Sequence, residues 1–472
     1  MKIKLLVAIC SVSVIFSCKE TKTVETKEAL PNIVFYISDD LSASDISLYN
    51  ESGIDVPNIN QLASEGLTFN NAFIASPACA PSRSALLTGL FPARNGAQVN
   101  HSYPHKNTLK LPTLLQKMGY EVISFGKVGH GFNEKQAAAY GFDHFSGKPT
   151  DLPNQVRTFF KDRKSTKPIC LLVGDRRPHV TWIKKANYPL DNVVLPSIFI
   201  DTKETREHWA RYATDVQGMD KDLGNILSLS KAMFGDDYVF LFSADHGSQW
   251  PFGKWNLYDY GIHVPLVVSS PKLTKKGSKT EAMVSWVDIF PTLIDMAGGK
   301  VPDDIDGKSF AKVLENPKES HRDFIYTTHS GDGDFNVYPI RSIRTERFKY
   351  IHNLFPENLH TNHSDILRKD GAGAYWNSWD EAAKADATSK AITDKYFVRP
   401  EFEFFDLKND PKEQNNLAGK EAFNDEQDKL KQILETMNIQ QKDSLKIIGE
   451  PHPISLGRPN KETIDKRKNK KH

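Results

Sequence analysis

Short runs of apolar residues alternate with helical patterns along the N-terminal part of the chain. The runs are rich in β-branched and aromatic residues, which predicts strands buried on both faces. Five such strands are predicted, NIVFYIS from Asn32, EVISFG from Glu121, ICLLVG from Ile169, YVFLFSA from Tyr238 and VPLVVSS from Val264. Apolar residues at helical spacing begin at Asn58 and at His208. Strands that alternate with helices indicate an α/β domain with a largely parallel sheet.

The pattern changes after about residue 320. The segments YPIRSIRTERFKYIHNLF and EFEFFDLKND predict strands of a smaller antiparallel sheet, with turns at TER and KNDP. A later helix would cover this sheet with one apolar face, formed by Leu430, Ile433, Leu434 and Met437. Residues 361–398 are polar and interrupt the strands. We interpret them as an excursion and as a candidate cover for a site.

These patterns divide the 472 residues into five regions. We assign 1–18 to a signal region, 19–30 to a tether, 31–325 to a large α/β domain, 326–450 to a C-terminal subdomain and 451–472 to a basic tail. The final run, DKRKNKKH, is expected to be frayed and solvated. Basic and acidic residues number 61 and 59, and this balance argues against nucleic acid as a main partner. No segment of the body is long and apolar enough to cross a bilayer.

The first residues form a separate pattern. MKIK is positively charged, LLVAICSVSVIF is a short apolar run, and IFSC ends it with a cysteine. This resembles a bacterial lipoprotein signal in which Cys18 is lipidated; a plain secretory signal cut nearby is the alternative. The polar stretch from Lys19 to Glu28 is then a flexible tether. We expect a bacterial cell-envelope location, periplasmic or at the outer-membrane surface, with a lipid anchor in the membrane.

The four cysteines cannot form a disulfide framework. Cys10 lies in the signal and Cys18 would be lipidated, which leaves Cys79 and Cys170 for at most one disulfide. We expect no disulfide, because the features below give Cys79 another role.

Polar side chains follow four of the predicted strands at the point where each strand ends. They are Asp39 and Asp40, Lys127 and His130, Asp175 and His179, and Asp245 and His246. In open α/β sheets, ligands bind at the carboxyl edge of the strands. The sequence therefore predicts one polar site at this edge.

Acidic residues dominate the first and last of these sets. Asp39 or Asp40 could cap a helix or stabilise a turn, but that explanation rarely suits two adjacent carboxylates. Carboxylates that converge repel each other unless a cation lies between them. With Asp245 and His246 the donors are mostly oxygens, which favours calcium or magnesium over zinc.

Cationic and proton-donating residues accompany the acidic ones. Taken singly, Lys127, His130, His179 and Lys254 could each be an ordinary surface or core residue. Together they would surround an anion that also faces a metal ion. Such a site suits a sulfate or phosphate, because a His or Lys can stabilise the charge that develops on the leaving oxygen. Arg83 adds a planar fork of donors nearby.

The stretch SPACAPSRSALLTGL places Cys79 at the N-terminus of a predicted helix. Pro81 suits the first turn of this helix and Gly89 can end it, so Cys79 is expected just ahead of the helix. Free amides and the helix dipole favour an anion there. A thiolate nucleophile beside a His is the usual alternative, but thiolates match hard metal ions poorly. We therefore expect residue 79 to act through oxygen.

The run CAPSRSALLTG, residues 79–89, resembles the signature of type I sulfatases of the alkaline phosphatase superfamily. Further segments in the family's order extend this resemblance from residue 31 to 418, namely PNIVFYISDDL, SFGKVGHG, RRPHVTW, FSADHG, GKWNLYDYGIHVPLVV, VDIFPTLIDMAG and FDLKNDPKEQNNLA. The resemblance implies an alkaline phosphatase-like α/β fold. Residues 31–325 would be the catalytic domain, with a mostly parallel central sheet flanked by helices, and the C-terminal part would add an antiparallel sheet with a packing helix.

The resemblance also implies roles for the residues. A formylglycine-generating or anaerobic sulfatase-maturating enzyme would oxidise Cys79 to formylglycine, whose hydrated aldehyde is the nucleophile. Modified Cys79 would bind one Ca²⁺ together with Asp39, Asp40, Asp245 and His246. The nucleophile and the sulfate would be held by Arg83, Lys127, His130, His179 and Lys254. His179 or Lys254 would protonate the leaving sugar, and the second hydroxyl at residue 79 would expel sulfate.

Subfamily signals conflict. His246 stands where many members have Asn, and His130 follows Lys127 by three residues rather than two, which resembles iduronate sulfatases. NLY at 256–258, VVSSP at 267–271 and PIRSIRTERFKYIHNLFPE instead resemble the sulfamidase branch. We place the chain nearer the sulfamidase-like branch without inferring an N-sulfate substrate.

The expected function is hydrolysis of sulfate esters on oligosaccharides of a sulfated polysaccharide. An algal polymer such as ulvan or carrageenan is favoured over a glycosaminoglycan. The alternatives are an N-sulfoglucosamine sulfohydrolase, a phosphonate or phosphate monoester hydrolase, and a glycan-binding protein without turnover.

Overall fold

The computed structural model describes residues 30–273 and 275–470. The unit that begins at Pro31 is compact. The predicted signal, the lipidation site at Cys18 and nearly all of the tether lie outside the described residues. Among the residues described, none of the helices combines the length and apolarity needed to cross a membrane.

An eight-stranded sheet forms the centre of the larger region. Its strands are β1 (Asn32–Ser38), β2 (Gly66–Phe73), β3 (Glu121–Gly126), β4 (His144–Ser146), β5 (Ile169–Gly174), β6 (Tyr238–Ala244), β7 (Leu266–Ser269) and β8 (Ser278–Ser285). Their order is β4-β3-β5-β1-β6-β7-β2-β8. Only β7 runs antiparallel to its neighbours, so the prediction of a mostly parallel sheet is confirmed.

Three strands of this sheet were not predicted, and one of them, β4, is only three residues long. The helical pattern from Asn58 ends earlier than its apolar residues suggested, because β2 begins at Gly66 directly after the helix. The third unpredicted strand, β8, lies at the sheet edge, where only part of it is buried. An edge strand keeps polar residues on its exposed positions, which removes the continuous apolar signal.

Helices cover this sheet. Those of the larger region are α1 (Pro57–Ser64), α2 (Cys79–Thr88), α3 (Pro92–Asn95), α4 (Leu111–Lys117), α5 (Glu134–Ala138), α6 (Leu152–Asp162), α7 (Lys203–Phe234), α8 (Asp259–Ile262), α9 (Ile289–Met296) and α10 (Ala311–Glu315). The longest, α7, contains the run predicted from His208 and packs against α1, α6, β1 and β6. Its N-cap is Thr202, whose side chain accepts a hydrogen bond from the Thr205 amide.

A second, four-stranded sheet is wholly antiparallel. It consists of β9 (Ile325–His329), β10 (Ile340–Arg344), β11 (Phe348–Asn353) and β12 (Phe402–Asp406), in the order β12-β11-β10-β9. The predicted turns at TER and KNDP follow β10 and β12. The strand β9 was not predicted.

The helix predicted to cover this second sheet does so. This helix, α14 (Asn424–Gln440), packs against β10 and β11. Leu430 and Leu434 are buried in a cluster with Tyr350 and Phe404, and Ile433 and Met437 lie against it. Ala85 and Phe91 of the larger region belong to the same cluster. The division into two domains at 325/326 stays a prediction, since the two regions share apolar contacts within one compact unit.

The excursion and the tail are both ordered into helices. Residues 361–398 contain α11 (His363–Leu367), α12 (Trp376–Ala385) and α13 (Ala387–Phe397). The expectation of a frayed tail is wrong as far as residue 470, because α15 (Lys461–Lys470) forms there. Ile464 is buried, and Arg467 donates hydrogen bonds to the carbonyls of Glu450 and Pro451, which fixes this helix on the body.

Candidate functional site

Strand register brings the predicted polar residues to one edge. Ser38 at the end of β1 pairs with Ala244 at the end of β6, and β1 also pairs with β5 up to Gly174. Gly174 in turn pairs with Gly126 at the end of β3. Four parallel strands therefore end side by side, and the polar residues that follow them emerge together.

The acidic residues and His246 converge at the ends of β1 and β6. His246 Nε2 lies 3.4 Å from Asp40 Oδ1 and 3.5 Å from Asp245 Oδ2. Asp39, Asp40, Asp245 and His246 are all fully buried. Asp40 has a left-handed backbone, with φ of 68°, and its amide donates to Asp245 Oδ1 at 3.1 Å. This unusual conformation is supported by that hydrogen bond and lets two adjacent carboxylates face one site.

Cys79 lies at the centre of this cluster. Its Sγ is 3.2 Å from His246 Nε2, 3.4 Å from Lys127 Nζ and 3.7 Å from Asp39 Oδ1, and the residue is 2% exposed. Cys79 is the first residue of α2 rather than the residue ahead of it. Gly89 ends the helix with φ of 66°, as predicted.

The second cysteine of the described chain takes no part in the site. Cys170 lies in β5, and both it and Cys79 are free thiols, so the expectation of no disulfide holds within the residues described. Burial raises the pKa of the Cys170 thiol to about 12, which keeps that thiol protonated and inert.

The donor atoms fit a divalent cation. Asp39, Cys79, Asp245 and His246 each offer a ligand atom, and these four atoms lie within 4.8 Å of one another. Asp40 falls in an overlapping group with Cys79 and His179. Burial raises the pKa of Asp40, and the charges of Asp39 and Asp245 add to the rise. Three converging buried carboxylates are the oxygen donors that a hard cation prefers.

Each carboxylate of the cluster also contacts a basic side chain. Lys127 Nζ lies 2.6 Å from Asp39 Oδ2, and Lys254 Nζ lies 2.9 Å from Asp40 Oδ1. Arg83 Nε donates to Asp245 Oδ2 at 2.8 Å. Burial opposes ionisation of Asp39, yet the charges of Lys127 and Arg83 hold the pKa of Asp39 well below its usual range.

The two predicted histidines outside the carboxylate cluster are neutral. Burial and the charge of Lys127 lower the pKa of His130 to about 3. Burial and the charge of Lys254 hold the pKa of His179 well below its usual range, and His179 Nε2 lies 3.9 Å from Asp40 Oδ2. Near neutral pH both imidazoles are therefore hydrogen-bonding groups rather than cations.

Asp175, which also follows a strand, does not join the site. Its Oδ2 accepts hydrogen bonds from the Tyr36 hydroxyl at 2.6 Å and from Arg177 Nη2 at 2.6 Å. These bonds hold the carboxylate against Tyr36 of β1 and against Arg177 instead of at the cluster.

A cavity of about 440 Å³ opens above Cys79. It is lined by the predicted site residues Lys127, His130, His179 and Lys254. Parts of the 361–398 excursion line it as well, among them His363, Leu367 and Lys369, so the excursion does border the site. The sequence missed other lining residues, including Asn100, His101, Gln249, Trp255 and Asp332. They lie outside the strands and the long helices, where no periodic pattern marks them.

Comparison with known families decides the class of protein. A model of the sulfatase family matches residues 31–299. The chain belongs to the sulfatase family. It is accordingly a sulfuric ester hydrolase. A second model, described as the C-terminal part of N-sulphoglucosamine sulphohydrolase, matches residues 246–371 of this sulfatase.

Several characterised proteins are similar to this sulfatase over most of their length. An ulvan-active sulfatase of Formosa agariphila is 31% identical, over 85% of this chain and 78% of the relative. The human N-sulphoglucosamine sulphohydrolase is 27% identical, over 83% of this chain and 86% of the relative. A solved structure in complex with its substrate D-glucosamine-2-N,6-O-disulfate shares the fold, with a TM-score of 0.67 at 24% identity, covering 88% of this chain and 98% of that one.

The signature of this sulfatase fixes α2 against the strand ends. Ser82 Oγ donates to the carbonyl of Asp245, Arg83 Nη1 donates to the carbonyl of Lys127, and the Ala80 amide donates to Asn100 Oδ1. All ten residues of α2 are buried. The spacing of the motif therefore holds residue 79 between the acidic and the basic side chains.

Proposed function

We propose that this sulfatase hydrolyses sulfate esters on oligosaccharides of a sulfated polysaccharide, after conversion of Cys79 to formylglycine. The observation that carries the proposal is the position of Cys79 Sγ, within 3.7 Å of Asp39, His246 and Lys127 at the base of an open cavity. A nucleophile at this point faces a metal site on one side and a lysine on the other. The similarity to an ulvan-active sulfatase favours an algal polymer such as ulvan or carrageenan over a glycosaminoglycan.

One Ca²⁺ per chain would be held by Asp39, Asp40, Asp245 and His246, together with an oxygen of the modified residue 79. The ion would supply positive charge to the sulfate oxygens and to the nucleophile. Formylglycine would supply a pair of oxygens, one to attack sulfur and one to release sulfate. A serine offers no such internal route for release.

The residues of the chain surround the reacting group with fixed donors. Lys127 points its ammonium at residue 79 and is anchored by Asp39, so its position is set before substrate binds. Arg83 is anchored by Asp245 and by the Lys127 carbonyl, and it holds these elements in register. Lys254 and His179 also line the cavity, and because His179 is neutral while Lys254 is protonated near neutral pH, Lys254 would deliver the proton to the leaving sugar oxygen.

Two measurements test this proposal. Mass spectrometry of the peptide that contains residue 79, from protein made in its native host, should show the mass of formylglycine; unmodified cysteine there would refute the mechanism. The matured protein should then be screened against sulfated oligosaccharides from ulvan, carrageenan and glycosaminoglycans, with phosphonate and phosphate monoesters as paired controls. Sulfate release from the algal oligosaccharides is the expected result, and faster phosphonate hydrolysis would contradict it.

Cleavage of an N-sulfate is a second candidate. It is supported by the match of residues 246–371 to the C-terminal model of N-sulphoglucosamine sulphohydrolase and by similarity to the human enzyme of that name. A glucosamine that carries both an N-sulfate and a 6-O-sulfate separates the two, because NMR of the product shows which sulfate has been lost.

We further propose that Cys18 carries a lipid that anchors the enzyme in the bacterial envelope. The basis is the sequence pattern MKIK, LLVAICSVSVIF, IFSC. Labelled palmitate should enter the wild-type protein but not Cys18→Ala, and labelling of both proteins would refute this anchor. A formylglycine-generating or anaerobic sulfatase-maturating enzyme would be the maturation partner, and its removal from the host should leave Cys79 unmodified.

A further inference from the structure

His101 and Asp332, which no pattern in the sequence marks, line the same cavity as His130. His101 Nδ1 lies 2.8 Å from His130 Nε2, and His101 Nε2 lies 3.3 Å from Asp332 Oδ1. Asp332 is buried, whereas 64% of the His101 side chain is exposed. A carboxylate, an exposed imidazole and a buried imidazole therefore form a chain of contacts that ends in the cavity that Cys79 also lines.

Asp332 is held as an acceptor. Its Oδ2 accepts hydrogen bonds from Trp255 Nε1 at 2.8 Å and from Asn100 Nδ2 at 3.1 Å. Although burial opposes it, contact with His101 and the nearby His363 hold the pKa of Asp332 well below its usual range. Within the described residues, Oδ1 has no aligned hydrogen-bond donor, and His101 Nε2 lies at ion-pair distance from it. His101 is thus the group placed to donate to Oδ1.

One ring nitrogen of His130 contacts another side chain, and the other has no hydrogen-bond partner among the described residues. Its Nε2 contacts His101, while its Nδ1 is buried and has no hydrogen-bond partner in the part of the chain described. A neutral imidazole carries its proton on one nitrogen and a lone pair on the other. The nitrogen that contacts His101 therefore decides what the free nitrogen can do.

We propose that Asp332 and His101 are positioning residues that fix the tautomer of His130, with the proton on Nε2 and the lone pair on Nδ1. The carboxylate of Asp332 only accepts, so a neutral His101 donates from Nε2 and must accept at Nδ1. His130 then donates from Nε2. Its Nδ1 is left as a buried acceptor in the cavity wall, available to a hydroxyl of the reacting group.

The same contacts give a transferred proton a route to water. When His130 Nδ1 takes a proton, the Nε2 proton of His130 passes to His101 Nδ1, and His101 gives its own Nε2 proton to solvent. One proton has then left the site, and each imidazole holds one proton on Nδ1 until exchange with water restores the Nε2 tautomers. The role of this base in turnover rests on the proposed function, but the tautomer is a property of the chain with an unmodified Cys79.

The tautomer can be measured without any enzyme activity. Long-range ¹H–¹⁵N NMR of the full-length protein, produced without maturation, reports which nitrogen of each histidine is protonated, and His130→Gln assigns the signal. We expect Nε2 of His130 to carry the proton. Asp332→Asn can keep its oxygen toward Trp255 and turn its NH₂ toward His101, which would reverse both imidazoles and place the His130 proton on Nδ1.

The control for this variant is Asp303→Asn, at a carboxylate that is 88% exposed, and it should leave the tautomer unchanged. If Asp332→Asn does not fold, His101→Ala provides the same test, because loss of the partner should leave His130 as a mixture of tautomers. A proton on Nδ1 in the wild-type protein, or a tautomer that neither variant alters, would overturn the proposal. Neither result depends on the sulfatase reaction, so this failure is distinct from failure of the proposed function.

Kinetics of the matured enzyme with p-nitrophenyl sulfate supply a second readout. Asp332→Asn should lower kcat about 100-fold with little change in KM. His101→Gln should keep most of the wild-type activity, since its amide can donate to Asp332 and accept from His130. The matched control is His144→Gln on β4. A raised KM with unchanged kcat, together with an unchanged tautomer, would mean that the pair binds the sugar instead, which would overturn the proposal.

Discussion

Lys254 Nζ lies 2.9 Å from Oδ1 and 3.2 Å from Oδ2 of Asp40, and both side chains are almost completely buried. This contact joins the loop after β6 to the end of β1. Because a buried carboxylate without a partner is costly, Lys254 stabilises the metal site as well as lining the cavity.

Replacement of Lys254 by Met should destabilise metal-free protein by about 3–5 kcal/mol, because the buried carboxylate of Asp40 loses its lysine partner. Calcium should restore part of the lost stability, because the bound ion would pair with the Asp40 carboxylate in place of the lysine. Calorimetry in chelator and in calcium measures both effects, with Lys300→Met, at an exposed position, as control. An unchanged melting temperature in chelator would contradict the ion-pair assignment.

Changing Cys79 to Ala or Ser should abolish multiple turnover while the fold persists, since the other four proposed metal ligands remain. We expect kcat with an aryl sulfate to fall at least about 1,000-fold in both variants. Cys79→Ser should accumulate a sulfate ester on residue 79, visible as an added mass of one sulfate. Near-normal multiple turnover by Cys79→Ser would refute the formylglycine mechanism.

Removal of the divalent ion should lower both activity and stability. The carboxylates of Asp39, Asp40 and Asp245 are buried close together, and without the ion their negative charges repel each other with no water to screen them. An ion present at 100 times its Kd stabilises the folded state by about 2.7 kcal/mol. The melting temperature should therefore rise when calcium is titrated into protein from which a chelator has removed the metal ions. Full activity in protein shown to be metal-free would exclude these residues as ligands needed for catalysis.

Asp365 at the start of α11 should make stability depend on pH. Burial raises the pKa of Asp365 to about 7, while the unfolded value is about 4. A raised folded pKa favours the folded state below pH 4. As pH rises from 4 to 7 the unfolded state ionises first, so up to about 4 kcal/mol of stability is lost.

The variant Asp365→Asn is neutral at every pH and should lose this dependence. Urea unfolding at pH values from 4.5 to 8 should show wild type falling relative to the variant. Asp303→Asn serves as the exposed control. A constant difference between wild type and Asp365→Asn across this range would contradict the raised pKa.

Leu434 tests the packing of α14 on the second sheet. It is buried with Leu430, Tyr350 and Phe404, so Leu434→Ala should cost about 2–5 kcal/mol through lost contacts and a cavity. Ile439→Ala on the same helix is the control, because Ile439 is 78% exposed. Denaturant unfolding compares them, and equal small effects would show that α14 contributes little to the core.

Much of the site could be predicted because parallel strands impose a common edge. Asp39, Lys127, His179 and Asp245 each follow a buried strand, and no packing detail is needed to infer that such residues meet. The same reasoning failed for Asp175. Its carboxylate also follows a strand, yet Tyr36 and Arg177 hold it away from the cluster, and hydrogen bonds between distant segments leave no mark in the local pattern.

The sequence by itself determined the fold class, the residue types at the strand ends and the helix that presents Cys79, because strand and helix periodicities are local. Tertiary structure alone decided that β7 runs antiparallel, that His130 is neutral and that His101 and Asp332 reach the cavity. Strand direction and loop paths depend on packing across the whole chain, and a pKa depends on burial and on charges that are distant in sequence.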